Sequence, residues 1–237
     1  MKRILTVGVM VASMGIAMAQ SFESQISDMG LLQNKEVQAE LGISEATRDK
    51  MNKFAEDFNR RANGAQEEFR KKNPSAQQPS QGLIDQLSKF EADLKKNVFG
   101  LLNQKQMKRL SELTLQAAGY PAMMNDVVAK KIGLNATQIK KLRDEFQKMG
   151  TEVQRLQQGA MKPIYDKYGN EKPESEEAAK ALQAKVEGEA QAAMAKIQPQ
   201  LDKMRDAWLS VVKKTVKAIQ MNRFEALQGK PFKPSGQ

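Results

Sequence analysis

The stretch VAKKIGLNATQ, residues 128–138, decides the fold, because its pattern already occurs once as VQAELGISEAT at residues 37–47. Both copies place a valine four positions before Leu or Ile, followed by glycine, an apolar residue and a small polar residue, and Gly42 and Gly133 lie 91 positions apart. Apolar residues four apart share one helix face, and glycine commonly ends a helix in the left-handed conformation. Each copy therefore predicts a short helix, a glycine stop and a new helix.

A second pattern, Q-M-x-R-[LF]-x-x-L, begins at Gln106 and again at Gln220, 114 positions later. The two patterns alternate along the chain, which is the order that duplication of a whole unit would produce. We therefore predict one helical repeat unit over residues 20–119 and another over 120–237, with a flexible tail at 229–237.

Apolar residues recur along the chain at steps of three and four, and no segment alternates as a strand does. This periodicity predicts an all-α fold of long antiparallel helices and helical hairpins. The sequence NPSAQQPSQG at 73–82 predicts a break between two helices. We also predict that one long helix ends around 159–163, that Lys172-Pro173 opens the last long helix, and that Pro199 kinks or restarts it.

The two copies of each pattern overlap the same local motif, which therefore occurs four times, at residues 43–47, 102–106, 134–138 and 216–220. The motif consists of an apolar residue, a polar residue that is small in three of the four copies, two variable positions, and Gln or Thr. The small polar side chain can cap the first turn of a helix, and Gln can bond back to the cap's own N–H. The motifs at 102–106 and 134–138 predict this reciprocal box, the one at 43–47 keeps only the cap, and Lys217 in the last offers none. We interpret the motif residues as mainly structural helix starts: Ile43, Ser44, Thr47, Leu102, Asn103, Gln106, Leu134, Asn135, Gln138, Val216 and Gln220.

The composition disfavours an enzyme. The 237 residues include no Cys and no His, which removes thiolate and serine–histidine catalysis and the commonest transition-metal ligands. Carboxylates such as Asp144 and Glu145 are adjacent, so they diverge by about 100° on a helix and form no facing pair. The glycines are isolated and form no phosphate-binding loop. We predict no catalytic residues, no bound metal and no cofactor.

The N-terminal residues have the pattern of an export signal. A basic start precedes the apolar run Ile4–Ile16 and the small-x-small sequence AMA at 17–19. The run is shorter than the roughly 20 residues that span a bilayer, which disfavours the alternative of a membrane anchor. The pattern predicts a signal peptide over residues 1–19, cut after Ala19, and a periplasmic or otherwise secreted protein without stable membrane insertion.

The motif resembles L-T-x-x-Q of the Spy/CpxP family of bacterial envelope proteins. Leu134–Gln138 and Leu102–Gln106 match best, with Asn in place of Thr. Family members that resemble Spy are all-helical, ATP-independent chaperones that form cradle-shaped homodimers with two motifs per chain. The resemblance implies an envelope-stress chaperone for unfolded or partly folded exported proteins. Four motifs suggest two tandem Spy-like units, in a monomer resembling a fused dimer or in a homodimer.

Charge is divided unevenly between the two predicted units. Residues 20–119 carry 15 basic and 14 acidic side chains, whereas residues 120–237 carry 21 and 14, a net charge of +7. Flexible Met and long Lys side chains suit weak contacts with many clients, but a lysine-rich helix can also be merely solvated. The alternative function is a structural or regulatory envelope protein that docks on one partner, such as a sensor domain, a cell-wall layer or itself. No nucleic-acid-binding motif is present. The candidate client-binding residues are Lys130, Lys131, Lys140, Lys141, Lys213 and Lys214.

Overall fold

The computed structural model describes residues 21–76, 78–171 and 173–233. Within these ranges the chain forms nine α-helices and two 3-10 helices and no strand, which confirms the predicted all-α class. No helix of the described part is both long enough and apolar enough to cross a bilayer. The predicted signal peptide, residues 1–19, lies outside the described residues.

The described chain divides into two compact units, one of residues 21–117 together with 228–233, and the other of residues 118–227. From its 3-10 helix onward, each unit has the same order of elements: a 3-10 helix, a short α-helix, two long α-helices and a closing α-helix. The first unit has one additional short helix before these elements. The first unit contains α1 (Phe22–Ile26), a 3-10 helix (Met29–Gln33), α2 (Lys35–Glu40), α3 (Glu45–Lys72), α4 (Gln81–Phe99) and α5 (Gln104–Ala118). The second contains a 3-10 helix (Tyr120–Met124), α6 (Asp126–Ile132), α7 (Ala136–Tyr168), α8 (Glu176–Thr215) and α9 (Ala218–Gln228).

The buried apolar side chains gather at the ends of the long helices that carry the motifs. In the first unit they form one core cluster of Leu32, Val37, Leu41, Met51, Val98, Leu102, Leu110 and Leu113. In the second unit the most deeply buried side chains lie in the corresponding elements, namely the 3-10 helix, the short helix, the start of the first long helix, the end of the second long helix and the closing helix. They are Met123, Val128, Ala129, Ile132, Leu142, Val212 and Phe224.

Most of the α7–α8 hairpin lacks a buried core. Among the described residues between Leu142 and Trp208, Ile164 is the single buried side chain. Many apolar side chains of this segment are therefore half-buried. The hairpin combines a well-packed end beside the motifs with a long, partly exposed apolar seam.

The predicted end of a helix around 159–163 is wrong, because α7 continues through Gly159 and Pro163 to Tyr168. A proline inside a helix leaves the carbonyl four residues earlier without its helical partner. That carbonyl belongs to Gly159, which is exposed and has open space around it, so water can satisfy the carbonyl. Packing of α7 along α8 then compensates for the missing helical hydrogen bond.

The predicted start of the last long helix is also corrected. α8 begins at Glu176, where the Ser175 hydroxyl caps the first turn by accepting from the Ala178 N–H at 3.1 Å. The helix then passes without restarting through Pro199, which is exposed. The predicted break at 73–82 is confirmed, since α3 ends at Lys72 and α4 begins at Gln81.

The C-terminal segment differs from its predicted place in the chain's organisation. Residues 228–233 group with the first unit, although the sequence assigned them to the second. Their backbone is hydrogen-bonded to α5: the Gln116 side chain donates to the Lys230 carbonyl, and the Phe232 N–H donates to Gln116 Oε1. These contacts join residues more than a hundred positions apart, which sequence periodicity does not register.

Candidate functional site

The four motifs form the helix starts that the sequence predicts. At α5, Asn103 Oδ1 accepts from the Gln106 N–H, and Gln106 Oε1 accepts from the Asn103 N–H, both at 3.0 Å. Asn135 and Gln138 form the same reciprocal box at α7. These two predicted boxes are confirmed.

The two degenerate motifs also behave as predicted. Ser44 Oγ accepts from the Thr47 N–H at 3.2 Å, so this motif keeps its cap. Lys217 provides no capping side chain, and only the return bond remains, from the Lys217 N–H to Gln220 Oε1 at 3.0 Å. Gly42 and Gly133 have φ values of 61° and 83°, which confirms the predicted left-handed stops.

In the second unit the motif glutamines meet each other, which the sequence did not predict. Gln138 Nε2 donates to Gln220 Oε1 at 2.9 Å, and Gln220 Nε2 donates to Gln138 Oε1 at 3.2 Å. Gln138 also donates to the Thr215 carbonyl at 2.7 Å, and Gln220 donates to the Gly133 carbonyl. This glutamine pair therefore joins the end of α6, the start of α7, the end of α8 and the start of α9.

The first unit contains half of this arrangement. Gln106 Nε2 donates to the Leu41 and Gly42 carbonyls at 3.1 and 3.4 Å, which corresponds to the bond from Gln220 to Gly133. The position that corresponds to Gln138 is Thr47, whose hydroxyl instead lies 2.9 Å from Ser44 Oγ. The amide side chains thus hold helix ends together, which fits an architectural role for the motif.

The candidate basic residues all belong to the second unit and are all exposed. Four of them lie in the last turns of helices that the glutamine pair joins: Lys130 and Lys131 in α6, and Lys213 and Lys214 in α8. The remaining two, in α7, are not equivalent, because Lys140 pairs with Asp144 at 2.5 Å. The predicted set of client-binding residues did not include Lys217 and Arg223, which are also exposed and lie at the start of α9 and beside the end of α6.

A groove between α7 and α8 combines apolar and charged side chains. It encloses about 270 Å³, and we call it the methionine groove. Trp208, one of its lining residues, is 5% exposed, packs edge-on against Phe146 with ring centroids 5.3 Å apart, and leaves its Nε1 without a hydrogen-bond partner in the described structure. The lining residues are Glu145, Lys148, Met149, Glu152, Met204, Ala207, Trp208 and Val211.

A polar cluster near the other end of the same hairpin has a structural explanation. The Lys167 ammonium and the Tyr168 hydroxyl donate to the same Glu189 oxygen, at 2.6 and 2.7 Å. These two donors, Lys167 first, hold the pKa of Glu189 below its usual range, and Glu189 in turn raises the pKa of Lys167. Lys167 is exposed and Tyr168 and Glu189 are half-buried, and their shared hydrogen bonds tie α7 to α8.

The Glu189 contact predicts a measurable titration. A carboxyl whose pKa is depressed by folding stabilises the fold above its unfolded pKa, and this contribution is lost as pH falls through the lowered value. In an NMR titration, we expect the Glu189 carboxyl to titrate below the usual range of glutamate. Lys167→Met should raise that midpoint, and Tyr168→Phe should raise it less. An unchanged midpoint in Lys167→Met would contradict this assignment.

The described residues include no group of three or more acidic side chains that could hold a metal ion. No family model matches the chain. No curated protein and no solved structure matches it either.

Proposed function

We propose that this chain is an exported, ATP-independent chaperone-like protein that binds unfolded or partly folded envelope proteins. The observation that carries the proposal is the methionine groove, whose lining includes Met149, Met204 and the largely buried Trp208. Methionine side chains are flexible and polarizable, so they adapt to apolar groups of different shape. A site for many clients requires this adaptability more than it requires close complementarity.

The charges around the groove support the same function. Glu145, Lys148 and Glu152 also line the groove, and the Lys148 ammonium lies 2.7 Å from Glu145. Weak, solvent-exposed polar contacts of this kind add little affinity for any one client. The excess of basic residues in the second unit would add attraction for acidic clients.

The resemblance to the Spy/CpxP family supports the proposal from a separate direction. In our proposal the two units are tandem Spy-like units fused in one chain, and the predicted signal peptide directs the protein to the periplasm. An ATP-independent mechanism suits that compartment. Client release would then depend on weak contacts and on folding of the client itself.

Suppression of aggregation tests the proposal. Residues 20–237 are added, without ATP, to an unrelated aggregating protein such as reduced α-lactalbumin, and light scattering is followed at several molar ratios. We expect suppression by the parent chain and about a ten-fold loss of potency in the Met149→Ser/Met204→Ser double variant, as loss of about 1.4 kcal/mol of binding would produce. Circular dichroism checks that both chains fold.

The same two helices provide a matched control. Met161 and Met194 are half-buried in α7 and α8 but lie outside the groove. Met161→Ser/Met194→Ser should therefore suppress aggregation about as well as the parent chain. If the parent chain fails to suppress aggregation even in molar excess, the general chaperone function is wrong and docking on one specific partner becomes the better explanation.

A further inference from the structure

The C-terminal segment is held through its backbone by one side chain of α5. Gln116 Nε2 donates to the Gln228 and Lys230 carbonyls at 2.5 and 2.7 Å, and Gln116 Oε1 accepts from the Phe232 N–H at 2.8 Å. Bonds to the carbonyl before Pro231 and to the N–H after it are those that a neighbouring strand would make. The amide of Gln116 thus makes the hydrogen bonds that the edge of a β-sheet would otherwise make with an extended segment.

Two more residues of α5 complete what we call the tail clamp, defined as Arg109, Glu112 and Gln116. Their spacing of three and four places them along one helix face. Arg109 Nη1 donates to the Lys230 carbonyl at 2.7 Å and to Glu112 at 2.9 Å. The Arg109 guanidinium is also held by Glu40 of α2 at 2.7 Å, so its position does not depend on the tail alone.

Gly229 lets the chain approach this face closely. Its φ of 64° favours glycine, and an added methyl group would overlap the Glu112 carboxylate. The following residues have little freedom to fold back, because a residue that precedes proline, here Lys230, avoids the helical conformation.

Few side chains of the C-terminal segment are buried against the protein. Phe232 is half-buried and packs against the core cluster of the first unit. Lys230, Pro231 and Lys233 are exposed. The segment is therefore recognised by its backbone groups, by one aromatic side chain, and by a glycine three residues before that aromatic residue.

We propose that the tail clamp is a peptide-binding site for an extended segment with a glycine three residues before an aromatic residue, occupied here by the chain's own tail and exchangeable for a client segment. This inference rests on the proposed function, since an unfolded client presents such segments. The chemistry of the clamp favours an unfolded polypeptide over a folded partner, because the backbone groups that it binds are already paired in folded secondary structure.

Direct peptide binding tests this inference without any aggregation assay. The probes are two fluorescein-labelled peptides, one with the tail sequence QGKPFKPSGQ and one with the otherwise unrelated sequence SGTAFSTAGS, which keeps a glycine three residues before its phenylalanine, and the readout is fluorescence anisotropy. The hosts are residues 20–237 and the same chain with Phe232→Ala, which loosens the tail. We expect both peptides to bind the Phe232→Ala chain about ten-fold more tightly than the parent, because the internal tail no longer competes effectively. Gly229→Val, which cannot fit against Glu112, should have the same effect.

The matched control lies on the same helix. Adding Gln116→Ala to Phe232→Ala should abolish binding of both peptides, whereas adding Gln104→Ala, at an exposed position of α5, should leave it unchanged. Absence of peptide binding to folded Phe232→Ala and Gly229→Val chains would overturn the inference. Binding of the tail peptide alone would also overturn it, since the clamp would then be specific for its own tail. Peptide binding without suppression of aggregation would reject the chaperone function and leave the peptide site standing.

Discussion

Replacing Phe224 with alanine is expected to lower the free energy of unfolding of the second unit by about 3–5 kcal/mol. Phe224 is 0% exposed and contacts the Tyr120 ring with centroids 6.1 Å apart, so it links α9 to the 3-10 helix at the start of the unit. Truncation removes this buried ring and leaves a cavity that the surrounding helices can close only in part. Phe224→Leu, which retains most of the apolar volume, should cost less.

The chain contains its own probe for this measurement. Trp208 is the single tryptophan and belongs to the second unit, so its fluorescence during urea denaturation reports unfolding of that unit. Ile219→Ala is the matched control, because Ile219 is 57% exposed on the same helix and should change the unfolding free energy by less than about 0.5 kcal/mol. A loss below about 1 kcal/mol for Phe224→Ala would contradict the assigned core.

The features predicted correctly from the sequence are local ones. The capping box of Asn135 and Gln138 depends on residues three positions apart, and the stop at Gly133 depends on one backbone conformation. Local features of this kind can be predicted from a sequence because they depend on neighbouring residues and few other local conformations satisfy the same residues. The all-α class is legible for a similar reason, since the periodicity of each helix is contained within that helix.

The features that were missed depend on contacts between distant residues. Pro163 is tolerated inside α7 because a second long helix packs beside it, and the identity of that neighbour is not encoded near the proline. The tail clamp joins Gln116 to Phe232, and the glutamine pair joins residues 82 positions apart. The motif predicted that Gln138 and Gln220 form local hydrogen bonds at their own helix starts. It did not predict that the two side chains also bond to each other.

The glutamine pair leads to the second large expected effect. Gln220→Ala should lower the free energy of unfolding of the second unit by about 2–3 kcal/mol, since buried groups that lose their partners each cost about 1–3 kcal/mol. Gln220 is 6% exposed; its side chain donates to the Gly133 carbonyl and accepts from the Lys217 N–H and from the Gln138 amide. Gln220→Met keeps most of the volume without the hydrogen bonds, so a similar loss in this variant would assign the effect to hydrogen bonding.

Gln106→Ala in the first unit is the matched control, and it should cost about 1 kcal/mol because Gln106 is only half-buried and has no glutamine partner. Its unfolding is followed by far-ultraviolet circular dichroism, since the first unit lacks tryptophan. For the pair itself, the double variant Gln138→Ala/Gln220→Ala should lose less stability than the sum of the single variants, with a coupling of at least about 0.5 kcal/mol. Additive losses would mean that each glutamine acts only on its own helix start. Coupled losses would identify the mutual contact as what fastens the two ends of the α7–α8 hairpin, and would explain why both motifs retain glutamine although Lys217 has lost the cap.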